Sequence, residues 1–343
     1  MAERGLTVCA WGGIWGSALR EAVSGPFTER TGIPVRHAPH VGLALPGELV
    51  EATGAGRRPP FDVVWSNAVP ALRAARRGLC DPLSPGEVPN LLALGPRARP
   101  AGFEGWPVVL AYVVLYVLVF RRAAFAGRRP ESWEELLDPA HRGRVAIYPD
   151  GNGIHPVAQV LGGGDPREIP RAMEPCWEVL RRLRPQVREL AYSVGMEESL
   201  RRGDLTLCFR ALPNALGFRA AGVDVDWAAP REGVPDTADA LWVPRGLPPQ
   251  QARRAKAYVD FALSREVQRR WCDLLGVLPV RGDVPLPREL LRVPGPPLSL
   301  DGDPRILHVP DAVKAEHEDV WRERFRTIFD EGHDAATAAS AAP

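Results

Sequence analysis

The stretch WPVVLAYVVLYVLVF, residues 106–120, is the longest apolar run in the chain. It is shorter than the roughly 20 residues that a membrane-spanning helix needs, and its second residue is a proline. A run this apolar does not fit a surface position either. We therefore predict one or two nearly continuous buried strands between Pro107 and Phe120, crossing the core of the protein.

Strand-like and helix-like segments alternate before this run. Strands are predicted at 6–11, 34–38 and 61–65, and helices at about 16–31, 47–53 and 70–78. This spacing indicates a parallel sheet with crossover helices, in which ligands lie beyond the carboxyl ends of the strands. The segments that follow the three strands, residues 12–15, 39–42 and 66–67, are therefore expected along one ligand-binding edge.

A second alternating unit follows the run. Strands are predicted at 144–148, 186–191, 205–209, 223–228 and 240–244, and a long helix at 248–263. A helix start is predicted at 130–137, with Ser132 as N-cap and Glu135 completing a capping box. The length of 343 residues allows two domains, each with its own core.

Composition excludes several classes of protein. Lys and Arg number 43 and Asp and Glu 42, so no overall field attracts nucleic acid or an anionic membrane. The first six residues lead directly into a strand-like segment, so a secretion signal is not expected. The five cysteines form no CxxC pair, which argues against disulfides and a zinc site and suits a reducing compartment. They are Cys9, Cys80, Cys176, Cys208 and Cys272.

An ordered series of phrases between Leu6 and Val284 resembles the extracellular solute-binding proteins of ABC importers, in particular the spermidine/putrescine type. The phrases include WGG at 11–13, FTERTGIPV at 27–35, FDVV at 61–64, GLCDPL at 78–83, PESWEEL at 130–136, DPAHRGRV at 138–145 and DALWVP at 239–244. Their order along most of the chain carries the resemblance, since no single phrase is diagnostic.

The resemblance implies the type II periplasmic-binding-protein fold, an α/β fold of two αβ lobes with a hinge of crossing strands and a ligand cleft between them. Lobe 1 would comprise residues 1–111 and 244–284, and lobe 2 residues 112–243. Residues 285–343 would form a C-terminal helical segment packing on the lobes, with a frayed tail. The crossing segments would be 112–120 and 239–243.

The resemblance also implies a function. A monomeric binding protein would capture a small amine-bearing molecule, polyamine-like or carrying both amino and anionic groups, and deliver it to an ABC permease. It would act in the periplasm or outside the cell, with the cytoplasm as the alternative because no export signal is seen. Neither a cofactor, nor a nucleic-acid partner, nor membrane insertion is expected.

The resemblance places Asp239 where an acid contacts the ligand amine, and Trp11 where an aromatic ring packs against the methylene chain of the ligand. Each has a structural alternative: Asp239 could brace the hinge, and Trp11 could fill the core. The ligand contacts expected from the first half and from the crossing segments are Trp11, Gly12, Gly13, Trp15, Trp65, Ser66, Asn67, Tyr112 and Asp239.

The second half departs from the polyamine pattern. Asp150 is the one acid after its strand, where polyamine binders supply two. Phe209 lies where a lining aromatic is expected, and Arg210 follows it as a permanent cation. A guanidinium facing the cleft would repel a diamine and favour a ligand carboxylate or phosphate, unless it pairs with a surface acid. Glu232 and Asp236 are predicted in a loop, either in contact with the ligand or solvated.

No metal site is expected. The chain has no adjacent tyrosine pair of the kind that iron-binding relatives use, and its seven histidines show no HxxxH or HxH spacing. Gly162-Gly163-Gly164 is predicted to be a turn, because the Lys-Ser/Thr of a phosphate-binding loop does not follow it.

A cytosolic enzyme or sensor on the same fold is the alternative to a binding protein. The lack of an export signal and the unpaired cysteines motivate it. In that case Asp150, His155 and Asp239 would be the catalytic residues, providing acid–base chemistry. The binding protein remains the favoured hypothesis.

Overall fold

Eleven strands and eleven α-helices are found in residues 5–40, 45–192, 195–300 and 302–330, which the computed structural model describes. The strands are β1 (Leu6–Ala10), β2 (Val35–Pro39), β3 (Val63–Asn67), β4 (Val109–Arg121), β5 (Val145–Ile147), β6 (Val187–Leu190), β7 (Leu207–Ala211), β8 (Val225–Ala228), β9 (Val234–Trp242), β10 (Leu278–Pro279) and β11 (Ile306–Leu307).

The α-helices are α1 (Gly13–Leu19), α2 (Gly25–Thr31), α3 (Gly47–Gly54), α4 (Ala68–Arg76), α5 (His155–Leu161), α6 (Glu174–Leu183), α7 (Met196–Arg202), α8 (Leu212–Ala220), α9 (Pro249–Ala262), α10 (Arg265–Leu275) and α11 (Asp311–Asp330). A π-helical segment, Arg20–Ser24, joins α1 to α2, so the predicted helix at 16–31 is nearly continuous. Among the described residues, no helix is both long and apolar enough to cross a membrane.

The chain divides into two compact units. Unit 1 comprises Met1–Val114 and Thr237–Asp301, and unit 2 comprises Leu115–Asp236 and Gly302–Pro343. The divisions fall inside β4 and β9, which contain the two segments predicted to cross between lobes. The expected boundaries were 111/112 and 243/244. The C-terminal segment is shared, because residues 285–301 belong to unit 1 and α11 to unit 2.

In unit 1 the strands lie in the order β2-β1-β3-β9. β1 pairs in parallel with β2 and β3, and β9 runs antiparallel to β3 with Asn67 opposite Asp239. The buried Asp62 carboxylate accepts hydrogen bonds from the Thr7 backbone N–H (2.7 Å) and the Arg58 guanidinium (2.8 Å). This contact holds β1 beside the residues that lead into β3.

Strand β4 confirms the buried strand predicted from the apolar run. Every residue of β4 except Arg121 is buried. Its unit 1 portion pairs with β10 at Tyr112 and Val113. Its unit 2 portion pairs with β7 and β8, both antiparallel.

In unit 2 the strands lie in the order β6-β5-β7-β4, with β5 parallel to both β6 and β7. β8 pairs with β4, and β11 pairs with the unit 2 portion of β9. Helices α5, α6 and α11 pack together in this unit. The α/β class predicted for the second half is thereby confirmed.

The prediction that Asp236 lies in a loop is wrong. β9 begins at Val234, earlier than the predicted strand, because Val234 and Pro235 pair with Ile306 and Leu307 of β11. The Asp236 carboxylate is buried there and accepts a hydrogen bond from His308 Nδ1 (2.9 Å). It is therefore not a solvated loop acid.

The predicted capping box is correct at one end only. Ser132 caps a 3₁₀ segment, Trp133–Leu137, and accepts from the Glu134 N–H (3.0 Å). The Glu135 carboxylate pairs instead with Arg128. Glu232, distant in sequence, takes its place by accepting from the Ser132 hydroxyl (2.5 Å) and the Trp133 N–H (3.1 Å).

All five cysteines are buried and free. Burial raises the pKa of each thiol, so each is protonated at neutral pH. They pack as small apolar side chains.

Gly153 and Gly163 provide a matched test of packing in unit 2. Both have φ in the left-handed region (+77° and +79°), but a Cβ at Gly153 would lie 2.6 Å from the Tyr116 ring, whereas at Gly163 it would meet open space. We expect Gly163→Ala to lower the free energy of unfolding by about 1–2 kcal/mol. Gly153→Ala should cost about 1–3 kcal/mol more, because Tyr116 must move. The midpoints of urea unfolding measure the loss of stability in both variants. Equal losses would contradict the close packing of Tyr116 against Gly153.

Candidate functional site

Unit 1 gathers polar and aromatic residues where β1 and β3 end. We call the carboxyl ends of β1, β2 and β3, with the part of β9 beside them, the unit 1 edge. Asn67 is the last residue of β3, and its amide Nδ2 donates to Asp239 Oδ1 at 2.7 Å. The antiparallel pairing of β3 with β9 brings together these residues, which are distant in sequence.

Aromatic rings form a continuous series along the unit 1 edge. Trp11 and Trp15 have ring centroids 5.7 Å apart, and Trp15 stacks on Tyr112 at 6.1 Å. Tyr112 in turn contacts Trp65 (6.1 Å) and Trp271 (5.2 Å). The sequence analysis missed Trp271, since it lies on α10, outside the segments that follow the strands.

Exposure separates these residues into two groups. Trp11 and Trp15 are partly exposed, and Gly12 and Gly13 beside them are exposed. Trp65 and Tyr112 are almost fully buried, and so is Ser66, whose hydroxyl accepts from Trp242 Nε1 at 3.3 Å. Trp11 and Trp15 therefore present ring surface to solvent, and Trp65, Ser66 and Tyr112 support them from behind.

The Tyr112 hydroxyl is a neutral group beside the Asp239 carboxylate. Burial, followed by the negative charge of Asp239, raises the pKa of Tyr112 well above its ordinary value. The phenol remains protonated and can donate a hydrogen bond. Asp239, itself 2% exposed, thus lies among an amide, a phenol and aromatic rings.

Unit 2 has a corresponding edge, formed by the carboxyl ends of β5, β6 and β7, which we call the unit 2 edge. Arg210 of β7 is fully buried there. Its Nη1 donates to the Phe209 carbonyl (2.7 Å), and its Nη2 to the carbonyls of Ala191 (2.9 Å) and Ile147 (3.4 Å). The guanidinium carbon lies 4.6 Å from the centre of the Tyr148 ring. Among the described residues, the Arg210 guanidinium thus donates to backbone carbonyls and lies over an aromatic ring. Its Nε has no hydrogen-bond partner among those residues.

Phe209 points to the opposite face of β7, because successive side chains of a strand alternate. It is fully buried, stacks on Tyr116 (5.1 Å) and contacts Trp133 (5.3 Å). The structure therefore places Phe209 in the aromatic core of unit 2, apart from Arg210.

Asp150 lies in the segment after β5, as the strand pattern predicted. Its carboxylate accepts from the Asn152 N–H (3.2 Å) and from the Tyr192 hydroxyl (3.3 Å). Burial, followed by the Asp150 charge, raises the pKa of Tyr192. Tyr192 and Tyr148, whose rings are 6.2 Å apart, were missed by the sequence analysis. The available signal was that Tyr148 ends one predicted strand and Tyr192 directly follows another.

His155 is buried between two tryptophans. Its ring lies 5.5 Å from Trp177 and 5.4 Å from Trp321, and its Nε2 has no hydrogen-bond partner among the described residues. Burial lowers the pKa of His155 to about 4, so the ring is neutral at pH 7. These contacts are those of a packed side chain at the start of α5.

One group of side chains has the residue types of a metal site. Ligand atoms of Glu135, Asp138 and His141 lie within 4.8 Å of one another. The Glu135 carboxylate is engaged by Arg128, and His141 Nδ1 is 3.0 Å from the Thr206 hydroxyl. The group lies in the 3₁₀ segment described above and in the residues that follow it, before β5.

Comparison with known proteins identifies a family that matches most of the chain. The family model described as bacterial extracellular solute-binding protein matches residues 22–294. No curated protein matches the chain.

Solved structures of similar fold cover nearly the whole chain. An ABC transporter substrate-binding protein from Bradyrhizobium japonicum USDA 110 is 17% identical, with 95% of this chain and 99% of that chain covered and a TM-score of 0.79. The Atu4243-GABA receptor is 19% identical (95% and 98% covered; TM-score 0.77). AgtB from A. tumefaciens R10, solved with agropinic acid, is 17% identical (96% and 99% covered; TM-score 0.75). At these identities the likeness establishes the fold, that of two-lobed type II periplasmic binding proteins.

The burial of His155 makes stability depend on pH. The ring titrates near pH 6.5 in the unfolded chain and near 4 in the folded chain. The neutral His155 ring therefore makes its full contribution to the free energy of unfolding above about pH 6.5. This contribution is lost as the pH falls towards about 4, which lowers the free energy of unfolding by up to about 3 kcal/mol. His155→Phe should abolish this loss. Urea unfolding of both proteins between about pH 7 and about pH 4 measures it, and parallel pH profiles would contradict the assignment.

Proposed function

Because the chain belongs to the bacterial extracellular solute-binding protein family, we propose that it binds a small molecule carrying an amine and presents it to an ABC permease. The family match supports a small-molecule ligand, a permease partner and a role outside the cytoplasm. The chemical class of the ligand follows from the two edges.

The observation that carries the proposal is the buried Asp239 carboxylate in its aromatic surroundings. A carboxylate that is 2% exposed recognises an ammonium group by a short charge-assisted hydrogen bond in a partly dry site. Trp11 and Trp15, which present ring surface at the same edge, suit both methylene groups and a cation. Asn67 orients the carboxylate through its 2.7 Å hydrogen bond.

We further propose that the ligand carries an anionic group, for which Arg210 in unit 2 is the partner. A buried guanidinium surrounded by carbonyls and a ring retains its full positive charge, and a ligand carboxylate or phosphate would offset the cost of burying it. The GABA receptor of similar fold is named for a ligand that has an amine at one end and a carboxylate at the other.

The spermidine/putrescine-type resemblance is proposed to describe the ancestry of the site. Asp239 and Trp11 retain the amine-binding features that the resemblance implies. Arg210 favours an amino acid or aminophosphonate over a diamine, because a guanidinium repels a second ammonium group.

Calorimetric titration with GABA, 2-aminoethylphosphonate and putrescine tests the proposal. We expect binding of at least one amine-bearing compound, and Asp239→Asn should weaken it about 100-fold, because a buried charge-assisted contact is worth about 2–4 kcal/mol. Asp273→Asn is the matched control, since it removes a carboxylate of the same unit that is half exposed and paired at 3.8 Å with Arg269.

Heat release that is lost equally in both variants would contradict the role of Asp239. The absence of heat with every amine would overturn the proposal that the ligand carries an amine. Thermal denaturation of each variant shows whether the fold is retained.

A further inference from the structure

The C-terminal helix α11 packs directly against the loop that carries Asp150. A Cβ placed on Gly151 would lie 2.7 Å from Phe325 Cδ2, so the Phe325 ring covers the backbone next to Asp150. Trp321, one turn earlier on the helix, contacts the ring of His155 at 5.4 Å. These two aromatic residues fix the position of α11 beside the unit 2 edge.

Arg322 lies on α11 between these two anchors. It forms ion pairs with Glu318 (3.3 Å) and Asp319 (3.8 Å) on the same helix, and its side chain is only 22% exposed. Its Nε is buried without a hydrogen-bond partner among the described residues. A helix-surface arginine would be far more exposed, as Arg326 is at 55%.

Arg322 and Glu318 lie on the helix that Phe325 holds beside the loop of Asp150. The Tyr192 hydroxyl donates to Asp150 Oδ2. Burial and the charge of Asp150 raise the pKa of Tyr192, Arg322 lowers this pKa, and Glu318 raises it. The charged groups on these elements are the carboxylates of Asp150, Glu318 and Asp319 and the guanidiniums of Arg210 and Arg322. Removing Arg322 leaves three carboxylates and one guanidinium.

We propose that Arg322 is a specificity-determining residue of the unit 2 edge, which offsets the charge of Asp150 and Glu318 and so prevents a second ammonium group from binding there. The inference rests on the proposed function, since it concerns which amines the site rejects. It assigns a role in ligand selection to α11, which the sequence analysis treated as a packing segment.

The physical basis is the balance of charge in a poorly solvated setting. Unit charges a few ångströms apart interact by a few kcal/mol near a protein surface, far more than in bulk water. Removing Arg322 leaves Asp150 and Glu318 to attract a cation. A diamine such as putrescine gains from this change, whereas GABA, with its carboxylate, does not.

The experiment is titration of Arg322→Gln and the wild-type protein with putrescine and with GABA. We expect the variant to bind putrescine about tenfold more tightly than the wild-type protein does, with no gain for GABA. Arg322→Lys, which keeps the charge, should show no gain. If Arg322→Gln does not fold by circular dichroism, Arg322→Met takes its place, with the same expected gain.

Arg326→Gln is the matched control, because it removes the same charge from the same helix at a half-exposed position paired with Glu323. An unchanged putrescine affinity in Arg322→Gln, or an equal gain in Arg326→Gln, would overturn the inference. A wild-type protein that binds no amine would overturn the proposed function alone. If Arg322→Gln gained putrescine binding, the role of Arg322 would still be supported, since Arg322 is proposed to repel an ammonium group.

Discussion

Strand β4 imposes the constraint on which both units depend. Twelve of its thirteen residues are buried, so water cannot satisfy its backbone N–H and C=O groups. Partner strands must do so: β9 lies next to β4 in the sheet, β10 pairs with its unit 1 portion, and β7 and β8 pair with its unit 2 portion. The positions of those strands then determine where α10 and the segment after β7 lie. Trp271 and Arg210 reach the edges of their units as a consequence.

The two edges are built by the same rule and carry different chemistry. In each unit, parallel strands end at the same edge of the sheet, so the residues that follow them lie close together. Unit 1 collects aromatic rings around a buried carboxylate, and unit 2 collects a buried guanidinium, two tyrosines and Asp150. Unit 1 therefore presents a buried carboxylate and unit 2 a buried guanidinium, in a chain whose overall charge is close to balanced.

The unit 2 edge also shows how packing places charged groups. Phe325 and Trp321 anchor α11 on apolar and aromatic contacts beside the loop of Asp150, and the same helix carries Arg322 and Glu318, whose charges act on the pKa of Tyr192. Gly151 allows this, because any side chain there would displace Phe325. A helix that packs on the core thereby carries charged side chains next to that loop.

The sequence by itself determined the features that depend on local pattern: the buried strand within residues 107–120, the alternation of strands and helices, and the residues that follow each strand. Asn67 and Asp150 could be named for that reason, whereas Trp11, the last residue of its predicted strand, was named from the family resemblance. Only the tertiary structure decided which distant residues meet. Asp236 lies in a strand because β11 pairs with β9. Glu232, and not Glu135, accepts a hydrogen bond from the Ser132 hydroxyl. The Arg210 guanidinium is buried against the carbonyls of Ile147 in β5 and Ala191 just after β6, and α11, which carries Arg322, packs beside the loop of Asp150. These contacts join residues far apart in the chain, so no spacing in the sequence encodes them. They form because the packing of the strands and helices determines the position of each of these side chains.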